Sequence, residues 1–339
     1  MAVSVRVLIT GVAGYIGSNL ALRLKEEGAE ASGLDGFTDY YDPALKRETA
    51  RRLELAGVKI FEGDLTEAAA SAMPPYLENV DAVVHFAAQP GISATTPWED
   101  YNRNNVVATH CLLEAVRKAG VKRFVNVSSS SVYGLRATDS EIGEPKPASW
   151  YGETKLAAEL EVMGAVRQGR QMKNVKSKTE DGEGGFSACS LRLFSVYGER
   201  ERPDKLFPRL IRAIANEEEF PLFEGSWDHQ RSFTYVGDIC EAISCVLNNW
   251  EKAEGEIFNV GTDRCFTTGE AIETVQEIMG RKAKINLLPP RPGDQAATHA
   301  NIGKIRKKLG WEPKTSLRGG LERMVKWYMD EVHGKIDWR

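Results

Sequence analysis

Residues 5–35 read VRVLITGVAGYIGSNLALRLKEEGAEASGLD, and the order of residue types along this stretch decides the fold. The run 5–9 (VRVLI) is short, apolar and β-branched, and Thr10 and Gly11 close it, which predicts a strand. Over 18–27, Leu20, Ala21 and Leu24 recur at helical spacing before Gly28, so a helix follows. Gly11, Gly14 and Gly17 lie in the turn between them. A tight turn, close approach of backbone to a pyrophosphate and close helix packing each exclude a side chain, and a helix N-terminus offers its N–H groups to an anion. Asp35 comes 18 residues after Gly17, at the end of the next predicted strand. A carboxylate there binds a ribose diol and repels a 2′-phosphate, so NAD is favoured over NADP.

The same order recurs downstream. Residues 81–87 (DAVVHFA) read as a strand, 104–119 as a helix with Val107, Cys111, Ala115 and Ala119 on one face, and 123–127 (RFVNV) as a strand. Apolar strands alternating with helices predict a doubly wound, Rossmann-type α/β fold with a parallel sheet covered on both faces. Residues 1–194, with a return segment about 232–262, are expected to form it. Proline-punctuated residues 195–231 and 263–339 are expected to form a smaller C-terminal substrate-binding lobe. Residues 164–187, polar and glycine-rich, read as a mobile surface excursion before a strand at 188–194 (ACSLRLF).

The composition excludes several classes. With 339 residues, 42% hydrophobic and 27% charged, the chain has ordinary globular character. Lys plus Arg number 44 and Asp plus Glu 48, a net charge of −4, so no nucleic-acid partner is expected. Arg6, Gly11, Gly14 and Gly17 interrupt the start, and no apolar run is long enough for a membrane helix; a cytoplasmic protein is expected. Five cysteines without Cys-x-x-Cys spacing and five scattered histidines predict neither a disulfide framework nor a metal site.

Two further stretches carry chemistry. In SWYGETKLAAELE, Tyr151 and Lys155 stand four apart among helix formers, so both rise on one helix face. A tyrosine of ordinary pKa is a poor base, and a lysine ammonium and a positive nicotinamide ring nearby favour its phenolate. In VNVSSSSVYG a strand ends in hydroxyls from Ser128 to Ser131, at the carboxyl edge where such sheets bind ligands. A serine there can relay a proton to Tyr151, although serine runs also serve as helix caps.

With these elements in this order, the sequence resembles the extended short-chain dehydrogenases/reductases, in their nucleotide-sugar epimerase/dehydratase branch. The resemblance runs from residue 5 to about 328. It implies that Ser129, four before Tyr133, joins Tyr151 and Lys155 as the catalytic triad. It implies that Gly11, Gly14, Tyr15, Ile16, Gly17 and Asp35 hold NAD, with Asp64 and Leu65 by the adenine and Ala87, Ala88, Gln89 and Asn105 along the cofactor. It further implies that Phe223 lies beside a uracil and that Arg231, Arg291 and Asp294 hold the nucleotide diphosphate and ribose of a UDP-sugar. Pairing through the helices near 104–119 and at Tyr151 implies a homodimer.

Within that branch, GLDGFTDYYDPALKRE and LRLFSVYGERERPD look most like UDP-glucuronate 4-epimerases. In that resemblance Arg202 faces the sugar carboxylate and Ser130, Ser131 and Ser195 add hydroxyls; Ser93 falls where arginine is common and Gly36 where asparagine is. Oxidising the 4-hydroxyl of a glucuronate makes a β-keto acid, so the carboxylate must be held out of line with the new carbonyl. A neutral-sugar 4-epimerase is the alternative. A dehydratase is disfavoured because Ser130 and Ser131 replace its Asp-Glu pair, and a non-catalytic NAD-binding protein because Tyr151 and Lys155 are both present.

Overall fold

The computed structural model describes residues 5–70, 74–93, 95–135, 137–138, 140–175, 185–290 and 296–336. The first half alternates strand and helix: β1 Arg6–Thr10, α1 Tyr15–Glu26, β2 Glu30–Asp35, α2 Pro43–Leu55, β3 Lys59–Glu62 and β4 Ala82–His85. Then come α3 Trp98–Tyr101, α4 Ala108–Lys118, β5 Arg123–Ser129, α5 Trp150–Val175 and β6 Ser187–Leu193. The second half is more broken, with β7 Val196–Tyr197, α6 Leu206–Asn216, β8 Glu219–Phe223, β9 Gln230–Arg231, β10 Thr234–Tyr235, α7 Val236–Asn248, α8 Trp250–Ala253 and β11 Ile257–Val260. It closes with β12 Phe266–Thr267, α9 Thr268–Met279, β13 Lys284–Leu288, α10 Gly303–Leu309 and α11 Leu317–Trp327.

Seven strands pair in the order β11-β6-β5-β4-β1-β2-β3, all parallel. Alternate side chains enter opposite cores: Val7, Ile9 and Val84 on one face, Leu8, Val83 and Phe124 on the other. Both faces are therefore dry, which explains why the strands are apolar throughout. The order reverses between β1 and β4, the switch point where such sheets open a ligand crevice at their carboxyl ends. Outside the sheet, β8 pairs with β13 and β9 with β12.

Two expectations need correction. Residues 164–175 are helical, part of α5, and not an excursion. Val162, Ala165 and Val166 carry its buried stripe onward against the sheet, and this local apolar pattern outweighs the polar composition around it. Of the remainder, 176–184 lie outside the described residues. In α4 Ala115 is buried, with Cys111 and Ala119 packed partly buried against the same core beside Ala108, Leu112 and Val116, while Val107 is exposed. A π-helical turn over Asn102–Val107 leads into α4, and Val107 is its last residue.

Candidate active site

The crevice is a single cleft of about 1150 Å³, more than the roughly 300–1,000 Å³ of a usual small-molecule pocket, and suited to two ligands side by side. Its first wall is the glycine turn. Gly11 has φ +70°, and a Cβ on it would lie 2.9 Å from the Ala87 nitrogen; a Cβ on Gly17 would lie 2.4 Å from the Gly11 carbonyl oxygen. Only glycine fits either place. Gly14 caps α1 without a side chain, so the first N–H groups of that helix are left for an anion.

Asp35 ends β2 inside the cleft and is buried. Its carboxylate accepts N–H groups from Ala13 and Phe37, each at 2.9 Å. Those bonds fix its orientation and occupy one lone pair on each oxygen, leaving the others for a diol. Burial raises its pKa, against the pull of these N–H groups and of Lys46. Tyr15, Ile16, Asp64 and Leu65 also line the cleft, with Ala87, Ala88 and Gln89 beyond them. Asp64 is tied to Arg103 and accepts the Thr66 N–H at 2.9 Å. These residues fit a dinucleotide.

Asn105 does not line the cleft. It is buried, accepts the Gln89 N–H at 2.7 Å, and donates to the Gln89 carbonyl at 3.2 Å and to Thr154 at 2.9 Å. It stands behind the wall, fastening the Gln89 loop to α5.

At the cleft floor β5 delivers Ser129 and α5 delivers Tyr151 and Lys155. The Ser129 hydroxyl accepts the Ser131 N–H at 3.1 Å. Burial raises the Tyr151 pKa; the Ser129 hydroxyl and then the Arg202 charge oppose the rise. The sequence reading gave that task to Lys155, whose own pKa burial lowers to about 8, with Glu159 pulling it back up. The Lys155 charge is felt on the other side by His85, which burial and that charge hold down to about 3. Neutral His85 bridges Thr10 at 2.7 Å and Thr109 at 2.9 Å. Ser128 presents a buried hydroxyl without a protein partner at the cleft.

Beneath this floor lies a buried network absent from the sequence reading. Glu159, one turn beyond Lys155, accepts Ser190 at 3.0 Å and the Arg192 Nε at 3.1 Å. Arg192 also donates to the Tyr133 hydroxyl at 2.8 Å, and Tyr133 donates to Asn259 at 2.8 Å.

The far wall comes from the second half of the chain. Ser195, Arg202, Phe223 and Arg231 line the cleft there, Ser130 and Ser131 join them from just past β5, and Arg291 and Asp294 lie outside the described residues. Arg202 is buried, stacks on Tyr40 with 4.9 Å to the ring centre, and pairs with Asp204 at 3.2 Å. This accounts for part of the Asp-Tyr-Tyr-Asp-Pro run: Tyr40 backs Arg202, while Asp42 caps α2 by accepting the Ala44 N–H at 2.8 Å with Pro43 as its first residue. Lys205 and Arg209 line the cleft as well, though neither was singled out from sequence. Their spacing, three and seven after Arg202 at the head of a helix, was the available signal.

Known proteins resemble this chain in sequence and fold. The chain is 33% identical over 348 residues to UDP-glucuronate 4-epimerase 3 of Arabidopsis thaliana, covering 97% of this chain and 77% of that one. It is 32% identical to UDP-glucuronate 4-epimerase of Thermodesulfobacterium geofontis, covering 96% of each. The crystal structure of UDP-glucuronic acid 4-epimerase from Bacillus cereus with UDP-glucuronic acid and NAD is 30% identical, with a TM-score of 0.82 over 96% of this chain and 99% of that one. Residues 7–261 match the NAD dependent epimerase/dehydratase family, and with the glycine turn, Asp35 and the Ser129, Tyr151 and Lys155 floor in place the chain belongs to that family.

Proposed function

We propose that the protein interconverts UDP-glucuronate and UDP-galacturonate by epimerisation at carbon 4, using NAD. One observation carries the acidic-sugar reading: the buried Arg202 guanidinium lines the same cleft as Tyr151, and its charge offsets part of the burial-driven rise of the Tyr151 pKa, so a carboxylate-binding cation faces the space that holds the candidate proton acceptor. The names of the relatives above support the same substrate.

Gly11, Gly14, Gly17 and Asp35 would hold NAD, which when bound supplies a reversible hydride acceptor and a positive ring at the cleft floor. Tyr151 takes the proton of the 4-hydroxyl, directly or through Ser129, and returns it after the keto sugar has turned its other face. Lys155, charged below about 8, favours the phenolate once the cleft is filled. Arg202, with hydroxyls of Ser130, Ser131 and Ser195, holds the carboxylate out of line with the 4-carbonyl and so suppresses loss of carbon dioxide. Arg231, with Arg291 and Asp294, serves the diphosphate and ribose, and Phe223 the uracil.

The protein is proposed to act as a cytoplasmic homodimer. Trp98, Val107, Trp150 and Leu160 are exposed on α3–α5, and His110 joins Glu161 across α4 and α5 at 2.6 Å, which supports a continuous pairing face.

The test is Arg202→Ala with UDP-glucuronate and UDP-glucose side by side. A charge-assisted contact contributes about 1.5–3 kcal/mol, so UDP-glucuronate use falls roughly 10- to 150-fold and UDP-glucose use much less. An equal loss for both sugars overturns the assignment.

A further inference from the structure

The wall that carries Arg202 carries a second cation at the same point. Lys205 donates its N–H to the Arg202 carbonyl at 3.2 Å, closing a turn just before α6. Both side chains reach the same opposite loop. Their meeting is visible from the opposite loop: a Cβ built on Gly91 would lie 3.3 Å from Nη2 of Arg202 and 3.6 Å from Nζ of Lys205.

Two cations this close repel each other, and an anion beside both removes the cost. Asp204 pairs with Arg202, but its side chain is 51% exposed. Burial pushes the Glu201 carboxyl up, against the pull of Lys205 and Arg202. Arg209, one turn further, adds another cation to the wall. Across the cleft Ser93 brings no charge, and its hydroxyl accepts the N–H groups of Thr95 and Thr96, each at 3.1 Å.

We propose that Lys205 is a specificity-determining residue that, together with Arg202, clamps the sugar carboxylate of a uronate between two cations. The inference rests on the acidic-sugar reading above and deepens it. One cation attracts a carboxylate but leaves it free to rotate about its bond to carbon 5. Two cations at fixed places set its plane as well, which is the requirement for keeping the β-keto acid intact.

The test measures binding by calorimetry in a Tyr151→Phe background, so that nothing turns over, with NAD present and UDP-glucuronate or UDP-glucose as ligand. Adding Lys205→Met, which keeps the apolar stem, is expected to lower the preference for the uronate about tenfold or more, and adding Lys205→Arg to keep it within about threefold. In the Tyr151-intact enzyme, Lys205→Met is expected to raise the share of UDP-pentose among the products. A preference that survives Lys205→Met, or is lost equally in Lys205→Arg, overturns the clamp. So does an equal loss for both ligands, which would place Lys205 at the diphosphate. If the background itself shows no preference for UDP-glucuronate, the acidic-sugar reading falls and the clamp with it; a preference that persists without Lys205 sinks the clamp alone.

Discussion

Replacing Glu159 by Gln is the substitution whose consequences reach furthest from a single atom change. The side chains of Glu159 and Arg192 are 1% and 3% exposed, and the carboxylate accepts from Arg192 and Ser190. Glutamine keeps the shape but leaves the Arg192 charge buried without a counter-ion. Breaking such a pair from one side costs about 3–5 kcal/mol. That is a large part of the roughly 5–15 kcal/mol by which folded proteins are stable. Glu159 is also the group that raises the Lys155 pKa against burial. Without it the ammonium loses its proton at lower pH. The phenolate of Tyr151 needs that ammonium, so kcat/KM falls as pH rises through about 8 in the wild type, and through a lower value in Glu159→Gln. The stability sign for Lys155 is opposite. Its folded pKa lies below the ordinary 10.5, so its burial penalty is full below about 8 and is relieved as pH rises from there to 10.5. Denaturant unfolding at pH 7 and a pH series of kcat/KM measure the two effects. Glu159→Leu combined with Arg192→Met removes both charges and should recover most of the lost stability. A Glu159→Gln enzyme within about 1 kcal/mol of wild type, with its alkaline limb unmoved, would refute the reasoning.

Other substitutions probe separate parts of the cleft. Tyr151→Phe should lower turnover about 100-fold or more while circular dichroism shows an unchanged fold, because a positioned acid/base group is lost; near wild-type turnover removes Tyr151 from the chemistry. Asp35→Ala should shift the ratio of NAD to NADP affinity by roughly tenfold toward NADP, read by titrating each cofactor into stripped protein. Leu160→Glu, in the middle of the exposed face of α5, should convert a dimer to a 37.5 kDa monomer by light scattering, whereas a dimer that ignores the charge pairs elsewhere.

What was legible in the sequence is what local chemistry imposes. Gly11 and Gly17 are fixed by atoms a few residues away and by Ala87, and the β2 end puts Asp35 at the carboxyl edge of the sheet next to β1, so a pattern within one βαβ unit reports all three. Tyr151 and Lys155 share a helix turn and need no tertiary knowledge. Glu159 and Arg192 were hidden because their pairing joins α5 to β6, and each alone reads as a solvated charge. Lys205 was hidden for a related reason: only folding brings its Nζ and Arg202 to the same point by Gly91. Asn105 was placed along the cofactor by resemblance, and only folding shows its side chain fastening the Gln89 loop to Thr154 of α5. The helical 164–175 segment was misread because composition averages over the few apolar residues, Ala165 and Val166, that hold it to the sheet.

The central claim is that one cofactor, held throughout, takes hydride from carbon 4 and returns it to the opposite face. Giving the purified protein UDP-glucuronate deuterated at carbon 4, without added NAD, tests this in one NMR experiment. The account predicts UDP-galacturonate with the deuterium still at carbon 4 and little UDP-pentose. Deuterium lost from carbon 4, or UDP-glucuronate left unconverted while UDP-glucose becomes UDP-galactose, would contradict it.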